Sequence, residues 1–287
     1  MGDAAIEPRV PRERDVAMTA GFPVDGHVHF HRLDAVERTL HCAADNMTSI
    51  GGQNSGLIGA LLLAQTSRER VFERLYTLTQ VGKWQIESVA DEPVTIVVRD
   101  HRGRALALVN GRQVRAAGGL EVLALGTCRE FRDGQPFEDA VDDVRASGAV
   151  TVLPWGFAKW LGERGRRVRA VLDALDPGDV LLGDNGGRWQ TWPEPRMFRK
   201  YRERGFRILP GTDPFPFGAD ESRVGSCGAC VGFVPTAEAP WRMLKRAFAD
   251  PAADWMRYGS GVGLGRFVAN NVGIQLRNRW ASSEQLE

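Results

Sequence analysis

The chain has 287 residues, 43% of them hydrophobic, enough for one large core, and single α/β domains often reach this length. Its 37 basic and 36 acidic residues leave a formal charge of +1, without the basic footprint of a nucleic-acid binder or of a protein drawn to anionic membranes. No run approaches the roughly 18 consecutive apolar residues that span a bilayer. The mixed-charge opening MGDAAIEPRVPRERD lacks the apolar stretch of a secretory signal. A cytoplasmic protein is therefore expected, with residues 1–20 as a flexible arm and 21–287 as one domain.

Beyond the arm, short apolar runs alternate with amphipathic segments, the pattern of βα units around a parallel sheet. Phe22 to Phe30 is the first predicted strand, followed by a helix from about Leu33 (LDAVERTLHCAADNM). GLIGALLLAQ, from Gly56, is the second strand, and Ser67 is placed to cap a helix over RERVFERLYTL. Residues 84–118 break the alternation, with apolar runs separated by Asp91-Glu92-Pro93, Asp100-His101-Arg102-Gly103 and Asn110-Gly111. Asn-Gly between two apolar runs predicts a hairpin, so a small antiparallel β-meander is expected as an insertion here.

LEVLALG, AVTVLPW, DVLLGDN and FRILPGTD then read as strands, separated by helices over FEDAVDDVRAS, ERGRRVRAVLDAL and Glu194 to Arg204. From Pro214 the pattern is irregular, with helices expected at PWRMLKRAFAD and over Arg266 to Arg277. About six parallel strands are visible. The predicted fold is a (β/α) barrel, TIM-like or distorted seven-stranded, with the meander over 84–118 inserted.

In such folds functional groups gather where strands end. The first strand ends Asp25-Gly26-His27-Val28-His29-Phe30-His31, which holds three of the five histidines. Strand alternation sends His27 and His29 to one side, where two imidazoles can converge on a divalent ion. His31 lies beyond the strand, as a loop or supporting residue. FRILP ends in Gly211-Thr212-Asp213, a carboxylate placed to complete a His-His-Asp site and to take a proton from water. Asp184 and Asn185 close DVLLGDN, Asp184 as a further candidate ligand and Asn185 as a substrate contact. Arg188 and Lys159 are candidate anion contacts, and Trp155 a candidate pocket wall.

The His-x-His of strand one and the late Gly-Thr-Asp resemble the metal-dependent TIM-barrel hydrolases, the amidohydrolase superfamily and the polymerase-and-histidinol-phosphatase family. FEDAVDDVRASGAVTVLPW, VLLGDNGGR and FRILPGTDPF are similar to segments of the latter. The resemblance covers residues 22–32 and 137–216. It departs from the family where Pro154-Trp155 and Phe215 stand in place of histidines. It implies one divalent ion (zinc, manganese or iron) held by His27, His29 and Asp213, with Asp184 as a further ligand. It also implies hydrolysis of a C–N, ester or phosphoester bond of a small molecule, with Asp213 as the general base. The alternative is a catalytically inactive barrel that binds a small molecule or a protein.

Other signals point to less. Cys227 and Cys230 have redox or zinc-ribbon spacing but lie in a Gly-rich loop without a second pair. The glycine run from Gly259 to Gly265 lacks the context of a phosphate loop.

Overall fold

A computed structural model describes residues 21–50, 56–156, 159–216 and 218–267. The arm expected over 1–20, and all but the first two residues of the helix expected over Arg266 to Arg277, lie outside the described residues. Among the described residues, no helix is long and apolar enough to cross a membrane.

Strand β1 (Phe22–Val28) and strand β2 (Leu57–Leu63) pair in parallel around helix α1 (Val36–Thr48). Val36, Leu40, Ala43 and Met47 recur at three- and four-residue spacing, so α1 buries one apolar stripe with Leu61 and Leu63 of β2. A short helix α2 (Val71–Tyr76) follows, with Arg70 and not the expected Ser67 at its N-cap and no side-chain cap bond there. Ser67 instead donates to Asp133.

Strands β3 (Gln80–Val81), β4 (Trp84–Ser88), β5 (Thr95–Arg99) and β6 (Ala105–Val109) form an antiparallel run, and β6 returns parallel to β2. Next come β7 (Gly111–Arg115), β8 (Glu121–Leu125), α3 (Phe137–Ala146), β9 (Val150–Trp155) and α4 (Gly162–Ala174). They are followed by β10 (Leu181–Asn185), α5 (Arg196–Glu203) and β11 (Ile208–Gly211). The last elements are α6 (Gly218–Glu221), β12 (Gly228–Val231), α7 (Pro240–Ala249) and β13 (Trp255–Tyr258).

The strands form two sheets, ordered β13-β12-β1-β2-β6-β5-β4-β3 and β11-β10-β9-β8-β7, and not the expected barrel. Three features oppose closure. The free edge of β1 is taken by β12, antiparallel, with Phe22 opposite Val231. Strand β8, expected to be parallel, runs antiparallel to both β7 and β9. Strand pairing does not run on from one sheet into the other: their backbones are joined at local points such as a Gln65–Arg112 bridge and the Asp213 amide, which donates to the His27 carbonyl at 2.8 Å.

The antiparallel meander expected over 84–118 is present as β4 to β6, which with β3 extend the larger sheet at its edge, whereas β7 belongs to the smaller one. Asn110-Gly111 makes no hairpin. The chain passes through it from β6 into β7, crossing between sheets. The Asn110 amide donates to Val94 O, its carbonyl accepts from Gly126, and its side-chain oxygen accepts from Gln65 and Gly111. A Cβ on Gly111 would lie 2.4 Å from Leu63 O. The dipeptide thus serves close backbone approach and local hydrogen bonding, the same properties that suit it to turns.

One core cluster lies between the sheets, joining Val24, Ala60 and Leu62 to Leu123, Val152, Leu181 and Leu209. A second packs α3, α4 and α5 on the outer face of the smaller sheet, with Leu153, Leu182 and Phe198. Each strand of that sheet therefore alternates between an inner and a helix-covered side. Leu181 faces in and Leu182 out; the alternation then puts Asn185 inward and Asp184 outward.

Candidate metal centre

The site forms where the two sheets approach at β1 and β11. Asp25, fully buried on β1, accepts hydrogen bonds from the Thr212 amide at 2.8 Å, the Thr212 hydroxyl at 2.6 Å and the Gly225 amide at 2.9 Å. Burial pushes its carboxyl up to about 6, against the pull of these donors. A Cβ on Gly211 would sit 2.3 Å from the His27 amide nitrogen, so only glycine lets β11 come this close. The chain then turns through Asp213 in the left-handed region, at φ +44°, which is costly for a non-glycine residue. This turn delivers its carboxylate to the histidines.

A register irregularity between Asp25 and Val28 changes the parity of β1. Val28 and Phe30 pack in the cluster with α1, and His27 and His29 turn to the other side. Their Nε2 atoms lie 3.1 Å apart. Asp213 Oδ1 is 3.6 Å from His27 Nε2 and 3.7 Å from His29 Nε2. The three residues form one group able to hold a metal ion. Asn185 Nδ2 donates to Asp213 Oδ2 at 3.0 Å and fixes the carboxylate.

Glu69, from the turn after β2, completes the arrangement. Its Oε2 is 3.3 Å from His29 Nδ1, and its Oε1 is 2.7 Å from His31 Nδ1. The Thr66 amide donates to Oε2 at 2.8 Å, and His31 Nε2 reaches the Pro214 carbonyl at 2.9 Å. His29, His31 and Glu69 form a second potential metal group. Their spacing also suits direct hydrogen bonds to a carboxylate that fixes the ring of His29.

The charges follow from these neighbours. Burial lowers the pKa of His27, opposed by Asp213, so its ring favours the neutral form. Burial also acts against a charged His29, but the Glu69 hydrogen bond and the charge of Asp213 outweigh it and raise its pKa. Asp213 is held below the usual carboxylate range: His27, His29, Lys159 and Asn185 together outweigh its burial. Glu69 is held well below it, because its hydrogen bonds with His29 and His31 overcome desolvation.

Of the residues singled out in the sequence, His27, His29, Asp213 and Asn185 come together here. Lys159 is close enough to act on the charge of Asp213 and is paired with Glu121. Asp184, Arg188 and Trp155 lie on the other side of the smaller sheet. Asp184 is buried in ion pairs with Arg188, at 3.0 Å, and Arg257. Trp155, its partner on β9, packs edge-on against Phe198. A cavity of about 1060 Å³ opens beside Asp184, Arg188 and Arg257, away from the histidines. A second, of about 640 Å³, is floored by His31 and Glu69.

Sequence reasoning missed Glu69, Asp25 and Gln113, the last a hydrogen-bond partner of His27. A carboxylate a few residues past the end of β2 was the one available signal for Glu69. Cys227 and Cys230 are buried free thiols. Burial pushes Cys227 up to about 11 and also raises Cys230, which disfavours the reactive thiolate. The Gly259–Gly265 run pairs with the loop after β10, Val262 donating to Arg188 O at 2.9 Å.

No family model matches this chain, and the search of curated proteins finds no match.

Proposed function

We propose that this protein is a metal-dependent hydrolase of a small molecule, with one divalent ion held by His27, His29 and Asp213. The observation that carries the reading is the convergence of two buried imidazole Nε2 atoms and one carboxylate oxygen within 3.7 Å of one another. Ligands about 2.0–2.2 Å from a tetrahedral ion lie roughly 3.3–3.6 Å apart, so the donor set fits zinc and also manganese or iron. With its Nδ1–H directed to Glu69, a neutral His29 presents its Nε2 lone pair to that point.

When bound, the ion supplies Lewis-acid chemistry, polarising the bond to be cleaved and acidifying a water near neutral pH. The chain's own residues do the rest. Glu69 fixes the tautomer and angle of His29. Asn185 orients Asp213, whose carboxylate is placed to take the proton from the attacking water. Lys159 provides positive charge near Asp213 for the anion that develops on the substrate. The bond cleaved belongs to the amide, ester or phosphoester class. Four free cysteines fit a reducing compartment, which supports a cytoplasmic location.

Elemental analysis of untagged protein tests this reading. Wild type is expected to carry about one zinc, manganese or iron per chain, and His27→Ala/His29→Ala, folded by circular dichroism, to carry none. Equal metal content in the two proteins, or none in either after incubation with these ions, overturns it.

A further inference from the structure

The cavity lined by His31 and Glu69 carries an excess of positive side chains, two of them, Arg68 and Arg74, exposed to solvent. Four arginines line it: Arg32, Arg68, Arg70 and Arg74. Arg32 is paired with Asp34 and Arg70 with Glu130. Glu69, the other acid in the wall, is already engaged by His29 and His31. Among the described residues, Arg68 and Arg74 have no carboxylate within ion-pair distance. A guanidinium cannot shed its proton to relieve the imbalance.

The larger cavity makes the contrast. Its arginines are used by the protein itself: Arg188 and Arg257 on Asp184, Arg202 on Glu194, and Arg207 on the carbonyls of Ala247, Phe248 and Asp250. Of these two cavities, and among the described residues, the one lined by His31 keeps two cations, Arg68 and Arg74, without an ion-pair partner.

We propose that this cavity is the subsite for an anionic group of the substrate, a carboxylate or a phosphate, bound by Arg68 and Arg74. The proposal deepens the hydrolase reading and rests on it for the word substrate. Planar guanidinium groups match both anions through paired N–H donors. About 640 Å³ is within the range of small-molecule sites. Glu69 connects the two places: it forms part of the cavity wall, and its Oε2 lies 3.3 Å from His29 Nδ1. His27, His29 and Asp213 do not themselves line the cavity, so a molecule anchored by its anion on Arg68 and Arg74 has to reach past Glu69 and His31 to meet the cluster. A neutral analogue would bind poorly.

The test uses calorimetric titration of the full chain at low ionic strength, with inorganic phosphate and with succinate as probes. Four proteins are compared: wild type, Arg68→Ala/Arg74→Ala, Arg68→Lys/Arg74→Lys and His27→Ala/His29→Ala, each checked for folding by circular dichroism. Wild type is expected to bind at least one probe saturably. The double alanine variant should bind it about tenfold more weakly or worse, the loss of one or more charge-assisted hydrogen bonds. The lysine variant should fall between the two, and the histidine variant should retain the wild-type affinity.

Binding of phosphate alone assigns a phosphate-bearing substrate, and of succinate alone a carboxylate; binding of both also supports the subsite. No saturable binding, or affinity unchanged in the double alanine variant, overturns it. Affinity lost in the histidine variant would place the anion on the metal cluster and overturns it as well. Failure of the hydrolase reading shows separately, as absence of metal in the wild type, and leaves these titrations interpretable.

Discussion

Asp184 and Asn185 are neighbours on one strand, and the two faces of β10 put them in contrasting surroundings. On the outer face, Asp184 is closed in by the guanidinium groups of Arg188 and Arg257. On the inner face, Asn185 steadies Asp213, which looks toward two imidazoles. Both places hold a buried or partly buried carboxylate among nitrogen groups. The difference lies in the nitrogens. Guanidinium groups keep their protons and satisfy an acid as fixed cations, whereas imidazoles can release theirs and present lone pairs. One arrangement is suited to holding the fold together, the other to holding an ion.

The contrast can be broken most forcefully at Asp184. Asp184→Ala leaves Arg188 and Arg257 without their shared partner, and the expected cost is about 3 kcal/mol of stability, measured by urea unfolding. Its metal content should match wild type. Loss of metal from a folded Asp184→Ala protein would show that the two faces are not separate in function.

Glu69→Gln sharpens the other side. It keeps the size of the side chain but removes the charge and weakens the hold on His29 and His31. Supporting residues of this kind typically contribute 10–100-fold to metal affinity, about 1.4–2.7 kcal/mol. A competition titration with a chromophoric chelator should find such a loss, with folding unchanged. An unchanged affinity would mean that Glu69 does not orient the ligand.

The smallest expected effect is on pH dependence. Protons compete with the ion for His29, whose pKa is raised above its ordinary 6.5, whereas the lowered pKa of His27 leaves it neutral in that range. Metal affinity should therefore fall as pH drops through the raised value of His29, by about tenfold per unit, one proton being exchanged for each ion. In Glu69→Gln the fall should begin at lower pH, because the group that raises His29 is gone. The metal-free protein gives the opposite sign. A raised folded-state pKa makes the stabilisation of charged His29 complete below its unfolded value, and it is lost as pH rises through the folded one. Chelator titrations and thermal unfolding across pH 5–8 check both signs.

The sequence was most readable where the physics is local. The strand–helix–strand start, the helices over 137–146 and 162–174 and the strands near 150, 181 and 208 follow from spacing and burial alone. The juxtaposition of His27 and His29 follows from two-residue spacing. Reading Asp184 and Asn185 as members of one pocket ignored that same period, which sends neighbours to opposite faces. Glu69 was not legible because it comes from a turn, where no periodicity reports direction.

What the sequence determined by itself, then, was the supply of elements and of the chemistry at their ends: a His-x-His after one strand, a Gly-Thr-Asp after another. Tertiary structure alone decided which strand edges pair, and that choice produced two sheets in place of a barrel. Edge pairing is set by the competition among strands far apart in the chain, here β12 against the closing partner of β1, and such a competition leaves no mark in any one segment. It also decided which carboxylates face the histidines, because the approach of β1 to β11 depends on Gly211, Asp25 and Thr212 meeting across 187 residues of chain.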